Sequence, residues 1–285
     1  IIVGVLVLLV ALYDIVQPSD PIIRNFPVVG RFRTVLSSSG PKLRQYIVAA
    51  NDEERPFSRD QRTWVYGTAA GEGAYFGFGT DNVIDRDNHI IIKQSTFPDT
   101  TPIGENAPLP CAKIMGAWRD RTHQFRPESV VYVSAMSYGS LSARAVEAIN
   151  RGCAVSGAMH NTGEGGVAFP HRNGGALMFQ FGTGYFGCRN KDGTFSLEAL
   201  CETVASAEVG CIEVKLSQGA KPGLGGVLPG KKVTPAIAEA RGVEIGQTVF
   251  SPNRHSAFHD VDGLIDFGET IAEATGLPVG IKSAV

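Results

Sequence analysis

The chain has 285 residues, 43% of them hydrophobic and 19% charged, enough for one large domain plus an appendage and too apolar for a disordered protein. Its net charge of -2, from 26 Lys and Arg against 28 Asp and Glu, leaves no basic field to draw it onto nucleic acid. Five cysteines, Cys111, Cys153, Cys188, Cys201 and Cys211, form no CxxC pair, which excludes a disulfide framework and any zinc or iron-sulfur ligand run; they read as reduced thiols.

The first thirteen residues, IIVGVLVLLVALY, carry no charge. They fall short of the ~20 needed to cross a bilayer. Arg24, Arg31, Arg33, Lys42 and Arg44 follow, with no acidic residue from Pro21 to Ala50, the flank expected on the cytoplasmic side of a span. The expectation is a partial transmembrane anchor over residues 1–17, with the remainder in the cytoplasm; a buried core helix is the alternative. The lack of an initiator Met and the ending PVGIKSAV, an apolar strand-like run, make the chain read as part of a longer protein. Residues 18–125, rich in proline and charge, predict an irregular or mixed α/β lead-in.

From Val130 the texture changes. VVYVSAM (130–136) predicts a strand, and SARAVEAINRGCAV (142–155) a helix capped by Ser142. A short segment at 158–161 precedes a glycine loop, and ALMFQF (176–181) predicts the next strand. A helix over 196–210, ended by Gly210, leads to a strand over 211–217. Helices over 234–242 and 261–276 and a last strand from Pro278 complete the pattern. Strands alternating with helices predict a parallel sheet, either doubly wound or closed into a (β/α)8 barrel; a barrel requires about three strands more than these five.

Glycine makes up 34 of the 285 residues, above the usual ~7%, and the excess lies between Gly152 and Gly246. It falls in loops that follow strands: SYGSLS, TGEGG, GTGYFG and QGAKPGLGG. In parallel α/β folds the ligand sits on those loops, at the carboxyl ends of the strands. GTGYFG matches the dinucleotide pattern GxGxxG, but the turn-forming CRNKDGT follows where a helix must open. GAKPGLGG lacks the P-loop lysine position, and Pro222 removes a backbone donor. His255 and His259 have helical spacing, yet no third ligand accompanies them, so no metal site is predicted.

The ordered runs SAMSYGSLS, HNTGEGG, QFGTGYFG, EVKLSQGAKPGLGGVLPGKKVTPAIAEARG, SPNRHSAF and VGIKSAV resemble the FMN-binding synthase domain of the glutamate synthase family, most closely its stand-alone, membrane-anchored members. The resemblance covers about 130–285, with less specific similarity in the lead-in. It implies an α/β fold, a (β/α)8 TIM-type FMN barrel cut after about its fifth strand, with domains at 1–17 (anchor), 18–125 (lead-in) and 126–285 (first half of the barrel). It implies glutamate synthesis: reductive amination of 2-oxoglutarate with ammonia, 2-iminoglutarate being reduced by FMN hydride. An electron-donor protein or reductase subunit would be the partner. The family's iron-sulfur cluster is expected, although its cysteine motif is absent from this sequence.

By the same resemblance, Gln218, Lys221 and Arg241 grip the dicarboxylate, for which amide and guanidinium donors suit. Glu164 handles the ammonia proton. Ala135, Met136 and Ser137 offer backbone groups to the flavin ring, and Gln180 bonds its pyrimidine edge. Lys282 places a positive charge beside the ring, and Lys215 serves flavin, substrate or a buried ion pair. Three residues depart from the family: His160 for Ser, Glu213 for Gln and Leu224 for Glu. They leave open an FMN barrel acting on another small acid or amine, or a non-catalytic membrane-tethered scaffold.

Overall fold

The computed structural model describes residues 2–44, 54–72, 96–97, 111–216 and 223–284. The chain divides into two compact units, Ile1–Pro98 and Asp99–Val285.

Among its described residues the first unit holds four helices: α1 (Ile2–Val16), α2 (Pro21–Asn25), α3 (Gly30–Arg44) and α4 (Arg59–Ala69). Asp20 starts α2 by accepting from the amides of Ile22 and Ile23 at 2.8 and 3.0 Å, with Pro21 in the first helical position. Ser58 and Gln61 cap α4 reciprocally. The expected membrane anchor, and with it the placement at a membrane, is not supported. Among the described residues no helix is long and apolar enough to cross a bilayer. The 15 residues of α1 rise about 22 Å, against ~30 Å of hydrocarbon. Its single acid, Asp14, is buried and accepts from Arg31 at 2.5 Å and from the Val28 amide at 2.9 Å. The bond from Arg31 holds the Asp14 carboxyl below its ordinary range. Arg31, counted above as part of a basic flank, is thus the partner of an acid in α1.

The second unit is mixed α/β. Five strands, β1 (Tyr132–Val133), β2 (Met159–Asn161), β3 (Leu177–Phe181), β4 (Val209–Lys215) and β7 (Val279–Lys282), form one parallel sheet in the order β1-β2-β3-β4-β7. Helix α5 (Ala143–Ser156) joins β1 to β2, and α6 (Leu197–Ala205) joins β3 to β4. The connection after β4 carries the antiparallel pair β5 (Val227–Leu228) and β6 (Val249–Phe250), then α7 (Pro235–Arg241) between them, and finally α8 (Val261–Thr275). Spatial order follows chain order with no reversal. A doubly wound sheet reverses at a switch point, so this sheet has the single winding of a (β/α)8 barrel and is compatible with part of one.

The pleat divides each strand between two faces. Leu177, Phe179 and Phe181 of β3 and Ile212 and Val214 of β4 pack with Leu200 of α6 and Ile271 of α8 in the core between sheet and helices. Met178, Gln180, Cys211, Glu213 and Lys215 take the opposite, inner face. Two expected boundaries move. The helix expected to reach Gly210 ends at Ala205, because Gly210 is the extra residue where the β3–β4 register shifts; a Cβ there would lie 2.6 Å from the Phe125 ring. Of the strand expected over 130–136 only Tyr132 and Val133 pair, since among the described residues this edge has a neighbour on one side only.

Candidate functional site

The inner face carries a polar floor. Asn161 Nδ2, at the end of β2, donates to Glu213 Oε1 at 2.9 Å, and the Gln180 amide donates to the same oxygen. Gln180 and Glu213 are register partners across β3 and β4, so the pairing and the shared face of the pleat bring them together. The Gln180 carbonyl has no protein partner among the described residues and remains an acceptor. Asn161 also fixes the next loop, its Oδ1 accepting from the Gly163 amide at 3.0 Å.

That loop, Thr162 to Gly166, lies against the end of β1. Gly163 is left-handed at φ 64°, and a Cβ on it would sit 2.6 Å from the Ser137 backbone nitrogen. Only glycine permits both the conformation and the approach. Thr162 Oγ1 accepts from the Gln180 backbone N–H at 3.1 Å and donates to the Gly163 carbonyl, so the loop is braced from β3 as well. The result lifts Glu164 above the strand ends. Its carboxylate lies 3.4 Å from Lys215 Nζ, and the two side chains are 22% and 16% exposed.

Lys215, the last residue of β4, is the register partner of Lys282, the last of β7. Two lysines therefore leave the carboxyl edge of the sheet from neighbouring positions; Lys282 forms no ion pair among the described residues. Glu164 and Lys215 line a small cavity of about 30 Å³ together with Thr183, Gly223, Leu224 and Pro252. The two glycine-rich loops, at 162–166 and 223–226, thus meet at one place. A larger cavity of about 360 Å³, between α6 and α7, shares none of these residues and lies on the helical side.

Arg241 ends α7 and is 6% exposed. One arm donates to the Tyr138 carbonyl at 3.0 Å, and the guanidinium lies 4.9 Å from the centre of the Phe186 ring. Burial pushes its pKa down, and the nearby Glu164 charge opposes that shift. Ala135, Met136 and Ser137 come one residue after β1, and the backbone of Met136 and Ser137 lies against Gly163. Gln218 and Lys221 lie outside the described residues. Of the ten residues singled out in the sequence, Ala135, Met136, Ser137, Glu164, Gln180, Lys215 and Lys282 come to one end of the sheet, with Arg241 beside Glu164 electrostatically.

Three participants carry no local signal. Asn161 joins the floor only because β2 pairs with β3. Tyr185 and His255 meet 70 residues apart, His255 Nδ1 lying 3.1 Å from the Tyr185 hydroxyl. His255 Nε2 reaches the Lys215 carbonyl at 2.9 Å. Among the residues that depart from the family pattern, Glu213 faces the floor and Leu224 the small cavity. His160 points the other way: its ring meets Asn150 of α5 at 3.5 Å and lies 5.4 Å from that of His171. Burial lowers both imidazoles to about 4, and for His171 the His160 charge adds to the effect.

A family model described as a conserved region in glutamate synthase matches residues 113–284. The chain is 33% identical over 301 residues to the glutamate synthase large subunit-like protein YerD of Bacillus subtilis, covering 93% of this chain and 57% of that one. It is 37% identical over 164 residues to an archaeal-type glutamate synthase (NADPH) of Thermotoga sp. strain RQ2, covering 56% and 30%. It is 30% identical over 220 residues to the archaeal glutamate synthase (NADPH) of Archaeoglobus fulgidus, covering 69% and 40%. The chain therefore spans under three fifths of the length of these relatives.

Proposed function

The chain belongs to the glutamate synthase family, and from that premise we propose that it is the part of an FMN-dependent oxidoreductase in which 2-oxoglutarate and ammonia become L-glutamate. The observation that carries the reading is the convergence of Glu164, Lys215, Lys282 and both glycine loops at the carboxyl ends of β2, β3, β4 and β7.

The residues fit a flavin. The Gln180 carbonyl is an uncommitted acceptor on the floor, Lys282 an unpaired cation among the described residues, and the Gly163 loop leaves bare backbone over Ser137. Bound there, FMN would supply hydride chemistry, and Lys282, with Lys215 beside it, would favour the electron-rich reduced ring. Ala135, Met136 and Ser137 would contribute backbone groups. Gln218, Lys221 and Arg241 would hold the carboxylates of 2-oxoglutarate. Glu164 would accept a proton from ammonium and, held by Lys215, return one to the nascent amine. The described residues do not fit an iron-sulfur cluster, since no three Cys, His, Asp or Glu side chains gather there as ligands.

The test is reduction by dithionite, ferredoxin or NADPH of the intact protein carrying FMN, followed by addition of 2-oxoglutarate and ammonium. Reoxidation with glutamate formation, dependent on both, supports the reading; reoxidation indifferent to 2-oxoglutarate refutes it. A second reading, an FMN barrel acting on another small acid or amine, draws on Glu213, a carboxylate on the floor where the family commonly has an amide. It predicts that a different 2-oxo acid or amine outcompetes 2-oxoglutarate in the same assay.

A further inference from the structure

Tyr185 is fully buried and yet left-handed, at φ 49°. That conformation costs a bulky side chain on the order of 1–2 kcal/mol, so some set of contacts must over-determine it. Its ring packs against Phe181 and Phe195, and its hydroxyl carries the polar contacts. The backbone amides of Ser256 and Ala257 both donate to the Tyr185 oxygen, each at 3.1 Å. A phenol has two acceptor positions and one proton. With both acceptor positions occupied, the proton goes to the remaining neighbour, His255 Nδ1, at 3.1 Å.

This fixes the histidine tautomer. Nδ1 is an acceptor, so the ring proton sits on Nε2 and is donated to the Lys215 carbonyl at 2.9 Å. The ring is stacked on Phe258, with centroids 4.7 Å apart, and cannot swing away without losing that packing. A second tie runs parallel to the first: Thr183 Oγ1 donates to the Pro252 carbonyl at 2.6 Å. The loop after β3 and the segment before α8 are thus stitched together, and the stitch ends on the last residue of β4. On the other edge of β4 the Leu216 amide donates to the Lys282 carbonyl at 2.8 Å, and the Leu216 side chain packs against the core.

We infer that Tyr185 and His255 are positioning residues that hold the tip of β4, and with it the Lys215 ammonium opposite Glu164. The functional meaning of that position rests on the flavin reading above; the clamp itself does not. Neither residue touches the polar floor, and each acts through the Lys215 backbone.

The test is lysine acylation of the intact protein, read peptide by peptide by mass spectrometry, with the exposed Lys191 and Lys231 as references and the buried Cys188 thiol as a check on the fold. In Tyr185→Phe the labelling of Lys215 relative to the references rises about fivefold, the change that loss of one hydrogen bond brings to a local opening equilibrium. Two replacements at 255 separate the halves of the ring. His255→Gln keeps a donor near Nε2 for the Lys215 carbonyl but loses the tie to Tyr185 and behaves as Tyr185→Phe, whereas His255→Asn keeps the group near Nδ1 and loses the bond to Lys215 itself, raising labelling at least as much. A rise in all three variants, with Cys188 still unreactive, supports the clamp. Unchanged labelling in Tyr185→Phe or in His255→Asn overturns it; should Tyr185→Phe not fold, the two His255 variants decide alone. Labelling needs no turnover, so a protein that bound no FMN would sink the proposed function while leaving this result to stand.

Discussion

The buried pair His160 and His171 makes the stability of the second unit depend on pH in a calculable way. Both rings are held neutral, at about 4 against an ordinary 6.5, chiefly by burial. A folded-state value below the unfolded one means that the unfolded chain binds more protons, so stability increases with pH in the interval between the two. The contribution is complete above pH 6.5 and is withdrawn as pH falls from 6.5 towards 4. At pH 5 an unfolded histidine is almost wholly protonated and the folded one is not, which amounts to about 2 kcal/mol per ring. A proton on either ring disfavours the other, so urea unfolding followed by circular dichroism should show the wild type losing between about 2 and 4 kcal/mol from pH 7.5 to 5. His160→Asn keeps an acceptor for the Asn150 amide and removes one titration. It should be less stable at pH 7.5, yet lose about 2 kcal/mol less on going to pH 5. The difference between the two proteins cancels other titrating groups, among them His255, which burial also pushes down. Equal losses in wild type and variant would refute the reasoning.

Other perturbations report on the site. Gly163→Ala must accommodate both φ 64° and a Cβ 2.6 Å from the Ser137 nitrogen; a loss of about 1–2 kcal/mol in urea unfolding, with a lower FMN content, is expected. Lys221→Ala and Arg241→Ala should each raise the 2-oxoglutarate concentration needed for half-maximal rate about tenfold or more while FMN content, read from the visible spectrum, is retained. Loss of FMN with unchanged kinetics would reverse that assignment. Lys282→Met should lower the reduction potential of the bound flavin in a spectroelectrochemical titration, because a fixed charge that favours the reduced ring is removed.

What could be read from the sequence follows from the range of the forces involved. Helices with a capping residue and an apolar stripe declare themselves locally: Ser142, the expected cap of α5, accepts from the Ala145 amide, and Thr234 and Asp260 cap α7 and α8 in the same way. The alternation in ALMFQF and CIEVKLS sets Gln180 apart from Phe179 and Phe181, and Glu213 and Lys215 apart from Ile212 and Val214, but only the β3–β4 pairing puts all three on one face. The glycine loops were legible as a set because all follow strands. Pairings between distant segments were not. Nothing near Tyr185 points to His255, and the direction of the His160 ring depends on the phase of the short strand β2, which three residues cannot reveal. Asp14 shows a different limit, since an acid at the end of an apolar run looks like the edge of a membrane span until its partner, Arg31, is seen across the helix turn.

The most direct measurement is the visible absorption spectrum of the purified intact protein, before and after reduction and then on addition of 2-oxoglutarate with ammonium. A flavin spectrum that bleaches on reduction and returns only when both compounds are present, with glutamate formed, is the predicted result. A colourless protein that takes up no FMN, or a flavin whose return is indifferent to 2-oxoglutarate, would contradict the account.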